Sequence, residues 1–290
     1  MSDATPTATT VETALGPIEH IDVGTGDPVL FVHGSPGGAD QGELMTRFLV
    51  AAGRRVVAPS RPGYPGTPLD GSNATPSAQA ELHVALLDAL GIDRAAVMCW
   101  SGGGPSTYLL ASGHPDRVSA VAALAAVSGP FTFEGGLEDR LLSGRLGPWL
   151  MDEMAKHSGR SLVRSTLAEE GDLTKAELRE LVEQVWDDPT KRDFVLELSA
   201  TVAGRRDGLG NDHHQFPQIS DLGLGDVQAP VLLVHGTADA DVPPAHSDHA
   251  LATLPKADLL HVEGGTHLAA WTDPSSDAIQ ARISEALAAG

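Results

Sequence analysis

The sequence predicts an α/β fold, a mostly parallel sheet wrapped by helices, and three observations carry that expectation. Short continuous apolar runs alternate with stretches of helical period, the pattern of strands buried on both faces and joined by crossover helices. A lone serine, Ser101, stands between the apolar run at 95–100 and a helix that starts after Gly102, Gly103 and Gly104. Polar residues with chemical potential, Ser35, Ser101, Asp239 and His267, all follow strand ends, and in open α/β sheets ligands bind outside the carboxyl ends of strands.

Taken in order, residues 1–10 are rich in Thr, Ala and Pro, with no basic segment and no apolar run, and read as a disordered leader rather than a signal peptide. Residues 28–33 form an apolar strand ending in Gly34-Ser35-Pro36-Gly37-Gly38. Residues 41–52 read as a helix stopped by Gly53, residues 55–59 as a short strand, and Arg61-Pro62-Gly63-Tyr64-Pro65-Gly66 as a turn. Thr75-Pro76 opens a helix with Leu82, Leu86, Leu87 and Leu90 on one face, closed by Gly91. The strand before Ser101 and a further strand at 118–126 complete the first half.

The alternation breaks after Pro130. Residues 131–226 show helical segments without strong strand runs. Thr174 and Glu177 have capping-box spacing, followed by Leu178, Leu181, Val182 and Val185, and a second helix at 189–203 carries Phe194, Val195 and Leu198. These apolar faces need a surface to cover, and the carboxyl edge of the sheet is the nearest, so the insert reads as a helical cap. Gly208-Leu209-Gly210-Asn211-Asp212 reads as a solvated glycine-rich turn, with Asp212 orienting the cap or a polar substrate group as the alternative, and no lysine follows to make it a phosphate loop. Alternation resumes with a strand at 230–235, a helix at 244–254, a strand at 258–262 and a terminal helix at 274–289. The core domain is therefore discontinuous, 11–130 with 227–290, and the cap is 131–226.

Composition narrows the function. The 290 residues are 41% hydrophobic but only 4% aromatic, so alanine, valine and leucine must fill the core. Nineteen basic residues against 39 acidic give a net charge of −20, which repels nucleic acid and anionic membrane, and neither is expected as a partner. The single cysteine, Cys99, rules out an intrachain disulfide and reads as an inert core residue. No apolar stretch is long enough to span a bilayer, and a cytoplasmic location is expected.

The turn at Ser101, with small Cys99 and Gly103 two residues to either side, has the spacing of a nucleophile elbow, Cys99 standing where G-x-S-x-G has its first glycine. A serine hydroxyl needs a base, and the base needs an orienting group. Asp239 follows the strand at 230–235 and His267 follows the last strand through Gly264-Gly265, in the chain order serine, acid, histidine. Asp241 competes with Asp239, but the spacing from Gly236 favours Asp239. An oxyanion needs two fixed donors. The N–H of Gly102 is one, and the N–H of Ser35 the other, since Pro36 has none. Trp100 either packs under the sheet edge or lines an acyl pocket, and Trp149 and Trp186 of the cap are further candidate pocket residues. His33 and His235 end strands and read as structural hydrogen-bonders. His213-His214 and His246 with His249 lack clustered carboxylates or cysteines, so no metal is expected.

On His33-Gly34-Ser35-Pro36-Gly37, Arg61-Pro62-Gly63-Tyr64, Trp100-Ser101-Gly102-Gly103-Gly104-Pro105, His235-Gly236-Thr237-Ala238-Asp239 through Val242-Pro243, and Gly264-Gly265-Thr266-His267, the chain from about Val11 onward resembles α/β-hydrolase-fold proteins with a helical cap, in the esterase and proline iminopeptidase-like branch. The resemblance implies an eight-stranded, mostly parallel sheet with helices on both faces, and a cap between the sixth and seventh strands. It also implies an acyl-serine mechanism without cofactor. A carboxylesterase-like serine hydrolase of small to medium esters is the expectation. Serine rather than a carboxylate at the elbow argues against epoxide hydrolase and haloalkane dehalogenase chemistry. Trp100 precedes the serine instead of following it, a departure from proline iminopeptidases. Lactone or amide hydrolysis, a perhydrolase side activity, and a slow-turnover ligand-binding protein are the alternatives.

Overall fold

The structure, a computed structural model, describes residues 7–133, 159–202 and 204–288. Eight strands form one sheet: β1 (Thr9–Thr13), β2 (Gly16–Gly24), β3 (Pro28–Val32), β4 (Arg55–Pro59), β5 (Ala95–Trp100), β6 (Val118–Leu124), β7 (Val231–Gly236) and β8 (Ala257–Val262). Their spatial order is β1-β2-β4-β3-β5-β6-β7-β8. β1 and β2 run antiparallel to their neighbours, and β3 to β8 are mutually parallel. The expected eight-stranded, mostly parallel sheet is therefore present. Every residue of β5 is buried, as the unbroken apolar run requires of a strand covered on both faces.

The sheet divides the core in two. Leu30 and Val32 of β3 point to one face, with Val97 and Cys99 of β5 and with Leu82, Leu86 and Tyr108 of helices Pro76–Ala89 and Gly104–Gly113. Val29 and Phe31 alternate to the other face with Met98 and Trp100, against Ile279 and Ile283 of helix Ser276–Ala288. Between β6 and β7 lie helical residues 159–169 and helices Lys175–Asp187, Pro189–Thr201 and Arg206–Gln215. Val163, Leu167, Val185, Val195 and Leu198 from this insert join the second face's core. Each such side chain, once fully buried, contributes on the order of 1.5–3 kcal/mol.

Local signals hold at several helix ends. Thr75 Oγ1 accepts from the Ala78 N–H with Pro76 in the first turn, and Thr174 with Glu177 forms the reciprocal capping box. Two boundaries differ from expectation. Thr9 and Thr10, assigned to a leader, pair across from His20 and Glu19, because β2 offers an edge whose backbone groups they satisfy. The helix expected over 41–52 is two, Ala39–Met45 and Arg47–Ala51. Thr46 separates them, its hydroxyl donating back to the Gly42 carbonyl at 2.6 Å. No helix of the described residues is long and apolar enough to cross a membrane.

Candidate active site

β5 ends at Trp100, and Ser101 turns the chain with φ +53° into a short 3-10 turn, Ser101–Gly103, and then helix Gly104–Gly113. A non-glycine residue there is held at a cost of about 1–3 kcal/mol and persists only where its surroundings fix it. A Cβ on Gly103 would collide with the Val32 carbonyl, which explains the glycine two residues after the serine. Cys99 stands in the usual glycine's place because its side chain points into the sheet core. Burial pushes its thiol up to about 12, against weaker hydrogen bonds that favour the thiolate, so it stays protonated.

His267 follows β8 through the left-handed Gly264 and lies 2% exposed. Its Nδ1 is 2.7 Å from Asp239 Oδ2. Asp239 Oδ1 accepts from the N–H groups of Asp241 and Val242, both at 2.9 Å, and Oδ2 is also 3.2 Å from Nε2 of His235. Burial alone would raise the Asp239 carboxyl, yet His267 and the hydrogen bonds from His235 and His267 hold it well below the usual carboxylate range. Burial alone would lower His267. Asp239, then Asp241 and Glu170, outweigh it and raise the imidazole above its ordinary value. Nε2 of His267 is buried without a hydrogen-bond partner. The Trp100 ring lies 5.0 Å from the His267 ring, and its Nε1 donates to the His267 carbonyl at 3.3 Å, which brings the imidazole beside the elbow.

Glu170 was not singled out from the sequence. It ends the helical segment at 159–169, and its carbonyl accepts from the His267 N–H at 2.9 Å. Gly171 bridges to Asp239, and the Asp172 N–H donates to the Ala238 carbonyl at 2.8 Å, so the insert is stitched to the loops bearing Asp239 and His267. Burial, with Asp241 and Asp239 close by, pushes the Glu170 carboxyl up to about 8 despite the opposing pull of His267.

The Gly34-Ser35 turn abuts the elbow. A Cβ on Gly34 would collide with the Trp100 ring and the Ser101 Cβ, and one on Gly102 would collide with Ser35 Oγ, so the two residues expected to donate to an oxyanion face each other. The Ser35-Pro36 bond is cis. Ser35 Oγ donates to Asp212 Oδ2 at 2.6 Å and accepts from Arg61 Nη2 at 2.8 Å. Arg61 forks onto Asp212 at 2.7 and 2.9 Å, and the Tyr64 hydroxyl donates to the same carboxylate at 2.5 Å. Burial would lower the Arg61 guanidinium, but Asp212 and Tyr64 more than offset it and raise it.

Asp212 corrects an expectation. Residues 208–212 are not a solvated turn but part of helix Arg206–Gln215, and Asp212 is 1% exposed. Gly208 is small because a Cβ there would meet the Tyr64 ring, and its N–H donates to the Gly63 carbonyl at 2.9 Å. Gly208 serves close packing of the insert against the turn at 61–66, whereas a Cβ on Gly210 would meet nothing, and the burial of Asp212 follows from an arginine 151 residues away in sequence.

Other candidates sort as follows. Trp100 is buried between His267 and Trp271. Trp186 is half-buried with Arg160 and Arg192 over its ring, and Trp149 lies outside the described residues. His33 is structural, its Nδ1 donating to the Gly34 carbonyl and its Nε2 accepting from the Arg61 N–H. His235 likewise bridges Ser247 and the Val242 carbonyl. Among the described residues, His213, His214, His246 and His249 join no cluster of three ligating side chains.

A family model described as alpha/beta hydrolase fold matches residues 27–274. An alpha/beta hydrolase fold protein from Nakamurella multipartita is 49% identical in sequence, with a TM-score of 0.93 over 98% of this chain and 100% of that one. A 2-hydroxy-6-oxononadienedioate/2-hydroxy-6-oxononatrienedioate hydrolase of Pseudomonas putida is 27% identical over 265 residues, 88% of this chain and 86% of its own. An uncharacterized hydrolase of Bacillus subtilis (strain 168), YcgS, is 25% identical over 272 residues, 87% and 89% of the two chains.

Proposed function

The chain belongs to the alpha/beta hydrolase fold family, and from that premise we propose that it is a serine hydrolase cleaving a carboxylic ester of a small to medium substrate through an acyl-serine intermediate. The observation that carries this is the 2.7 Å contact of His267 Nδ1 with Asp239, which leaves Nε2 unpartnered beside the elbow of Ser101. Ser101 Oγ attacks the ester carbonyl as its proton passes to Nε2 of His267. Ionised Asp239 keeps Nδ1–H oriented and stabilises the imidazolium. The N–H groups of Gly102 and Ser35 receive the negative oxygen of the tetrahedral intermediate. The C–O bond then breaks, and the alcohol leaves with the proton from Nε2. Water attacks the acyl-serine, giving a proton to Nε2, and the acid departs as that proton returns to Ser101.

Support for the donor pair comes from the Arg61–Asp212 ion pair, which grips Ser35 Oγ and so fixes the turn whose backbone must already point at the oxyanion. The test is hydrolysis of p-nitrophenyl acetate and butyrate with labelling by a fluorophosphonate. Ser101→Ala is expected to lose at least about 10⁴-fold in kcat, and wild type to take one label, on Ser101. Turnover surviving in Ser101→Ala overturns the proposal.

The Pseudomonas putida relative supports a second reading. The compound in its name has a ketone and carboxylates but no ester, so its hydrolysis breaks a carbon–carbon bond beside the ketone. The same serine, base and oxyanion donors serve that reaction, with carbon rather than oxygen as the leaving atom. A 2-hydroxy-6-oxo-dienoate assayed beside the esters separates the two by kcat/KM.

A further inference from the structure

His267 is met by carboxylates on both ring nitrogens. Asp239 occupies Nδ1 at 2.7 Å. On the other side, Asp241 Oδ2 lies 3.8 Å from Nε2, and Nε2, a Glu170 oxygen and an Asp241 oxygen all lie within 4.8 Å of one another. His267 is 2% exposed, and both its Nε2 and Glu170 Oε2 are buried without hydrogen-bond partners. Two buried polar atoms without partners, Nε2 of His267 and Oε2 of Glu170, thus belong to one cluster. Backbone bonds fix the arrangement: the Glu170 carbonyl takes the N–H of His267, and Gly171 bridges to Asp239.

We propose that Glu170, Asp241 and Nε2 of His267 form a binding site for one divalent ion of the zinc type, and that the bound ion holds the hydrolase inactive. One imidazole and two carboxylates, with a place left for water, form a three-ligand zinc set. Asp239 on Nδ1 is the carboxylate that orients a ligating histidine and raises its basicity. The imidazole donor and the small ligand number disfavour Ca²⁺ and Mg²⁺. Atoms bound to one zinc at about 2.1 Å lie no more than about 4.2 Å apart. The Asp241–His267 spacing satisfies this, and Asp241, with its side chain 55% exposed, can rotate to close the remainder. An ion on Nε2 takes the lone pair that must receive the Ser101 proton, so binding and turnover exclude each other. The inactivation rests on the serine hydrolase proposal; the binding site does not.

The test uses chelator-treated full-length protein with Co²⁺ as spectroscopic probe and Zn²⁺ as inhibitor. One Co²⁺ per chain with visible d–d bands, displaced by one Zn²⁺, is expected in wild type and equally in Ser101→Ala. Asp241→Asn and Glu170→Gln should each weaken Co²⁺ binding at least about tenfold. Each should raise the Zn²⁺ concentration for half-inhibition by the same factor, relative to that variant's own uninhibited rate. Binding unchanged in Asp241→Asn, a surface substitution that leaves folding intact, overturns the site even if Glu170→Gln fails to fold. Co²⁺ bound and sensitive to Asp241→Asn in a protein without ester turnover would uphold the site and remove the serine hydrolase proposal alone. Tight Zn²⁺ binding without loss of turnover would overturn the inactivation.

Discussion

Arg61 and Asp212 form an ion pair at 2.7 Å with both side chains 1% exposed, and the pair joins the turn after β4 to a helix of the insert. Arg61 also reaches the carbonyls of His33 and Gly34, so one guanidinium ties together β3, the Ser35 turn and the insert. Removing one member of a buried pair leaves the other charge unmatched and costs about 3–5 kcal/mol, whereas replacing both with apolar groups costs far less. Asp212→Ala is therefore expected to lower the urea midpoint sharply, and Arg61→Met with Asp212→Leu to recover much of the loss.

Gly102→Ala tests the contact between the elbow and the Ser35 turn. The added methyl must displace Ser35 Oγ, which Arg61 and Asp212 hold in place. Loss of one oxyanion donor's alignment is worth about 10²–10³ in kcat. A drop of that size is expected in steady-state ester hydrolysis, with little change in KM. Wild-type kcat in this variant would show that the contact has no bearing on the rate.

Ser101 holds φ +53°, a conformation glycine adopts without strain. Ser101→Gly and Ser101→Ala both remove the hydroxyl, but only the first relieves the backbone. Ser101→Gly is expected to unfold at higher urea than Ser101→Ala, by up to about 1 kcal/mol in stability.

Burial, with Arg61 adding to it, pushes His83 down to about 3, while Ser106 Oγ lies 3.4 Å from its Nε2 and His33 is a further charge-capable neighbour. The unfolded chain binds this proton below about pH 6.5 and the folded chain does not, so stability falls as pH drops from about 6.5 toward 3. One such group contributes about 1.4 kcal/mol per pH unit through that window. Urea unfolding at pH 7.5, 5.5 and 4.5 should show a shallower decline in His83→Gln than in wild type.

Legibility followed the range of the interactions involved. Strand runs, helix caps and the order Ser101, Asp239, His267 are local or depend only on where strands end, and the geometry brings Asp239 and His267 together beside the Ser101 elbow. Asp212 reads first as solvated, its cap-orienting role only as an alternative, and Glu170 carries no signal at all, because nothing near them in sequence marks burial. Asp212 sits among glycines that normally signal a turn, and only Arg61 and Tyr64 make the site dry enough to matter. Glu170 follows another glutamate in a polar stretch, and its inward position comes from backbone pairing with the Asp239 and His267 loops. The glycine at 208 was the one available signal, since packing against an aromatic ring demands it. Thr46 and the Thr9-Thr10 pair show the reverse case, in which a short polar side chain or an open strand edge overrode a correct regional expectation.

The ion pair of Arg61 with Asp212 also bears on how such a chain can change over generations. The described part of the insert carries many exposed positions, but residue 212 answers to residue 61 on a different part of the chain. A lineage that exchanges this insert for another inherits an arginine already committed beneath it. The newcomer must carry an acid to the same point, or the two positions must be replaced together, so the grafts this scaffold accepts are filtered by a single inherited charge.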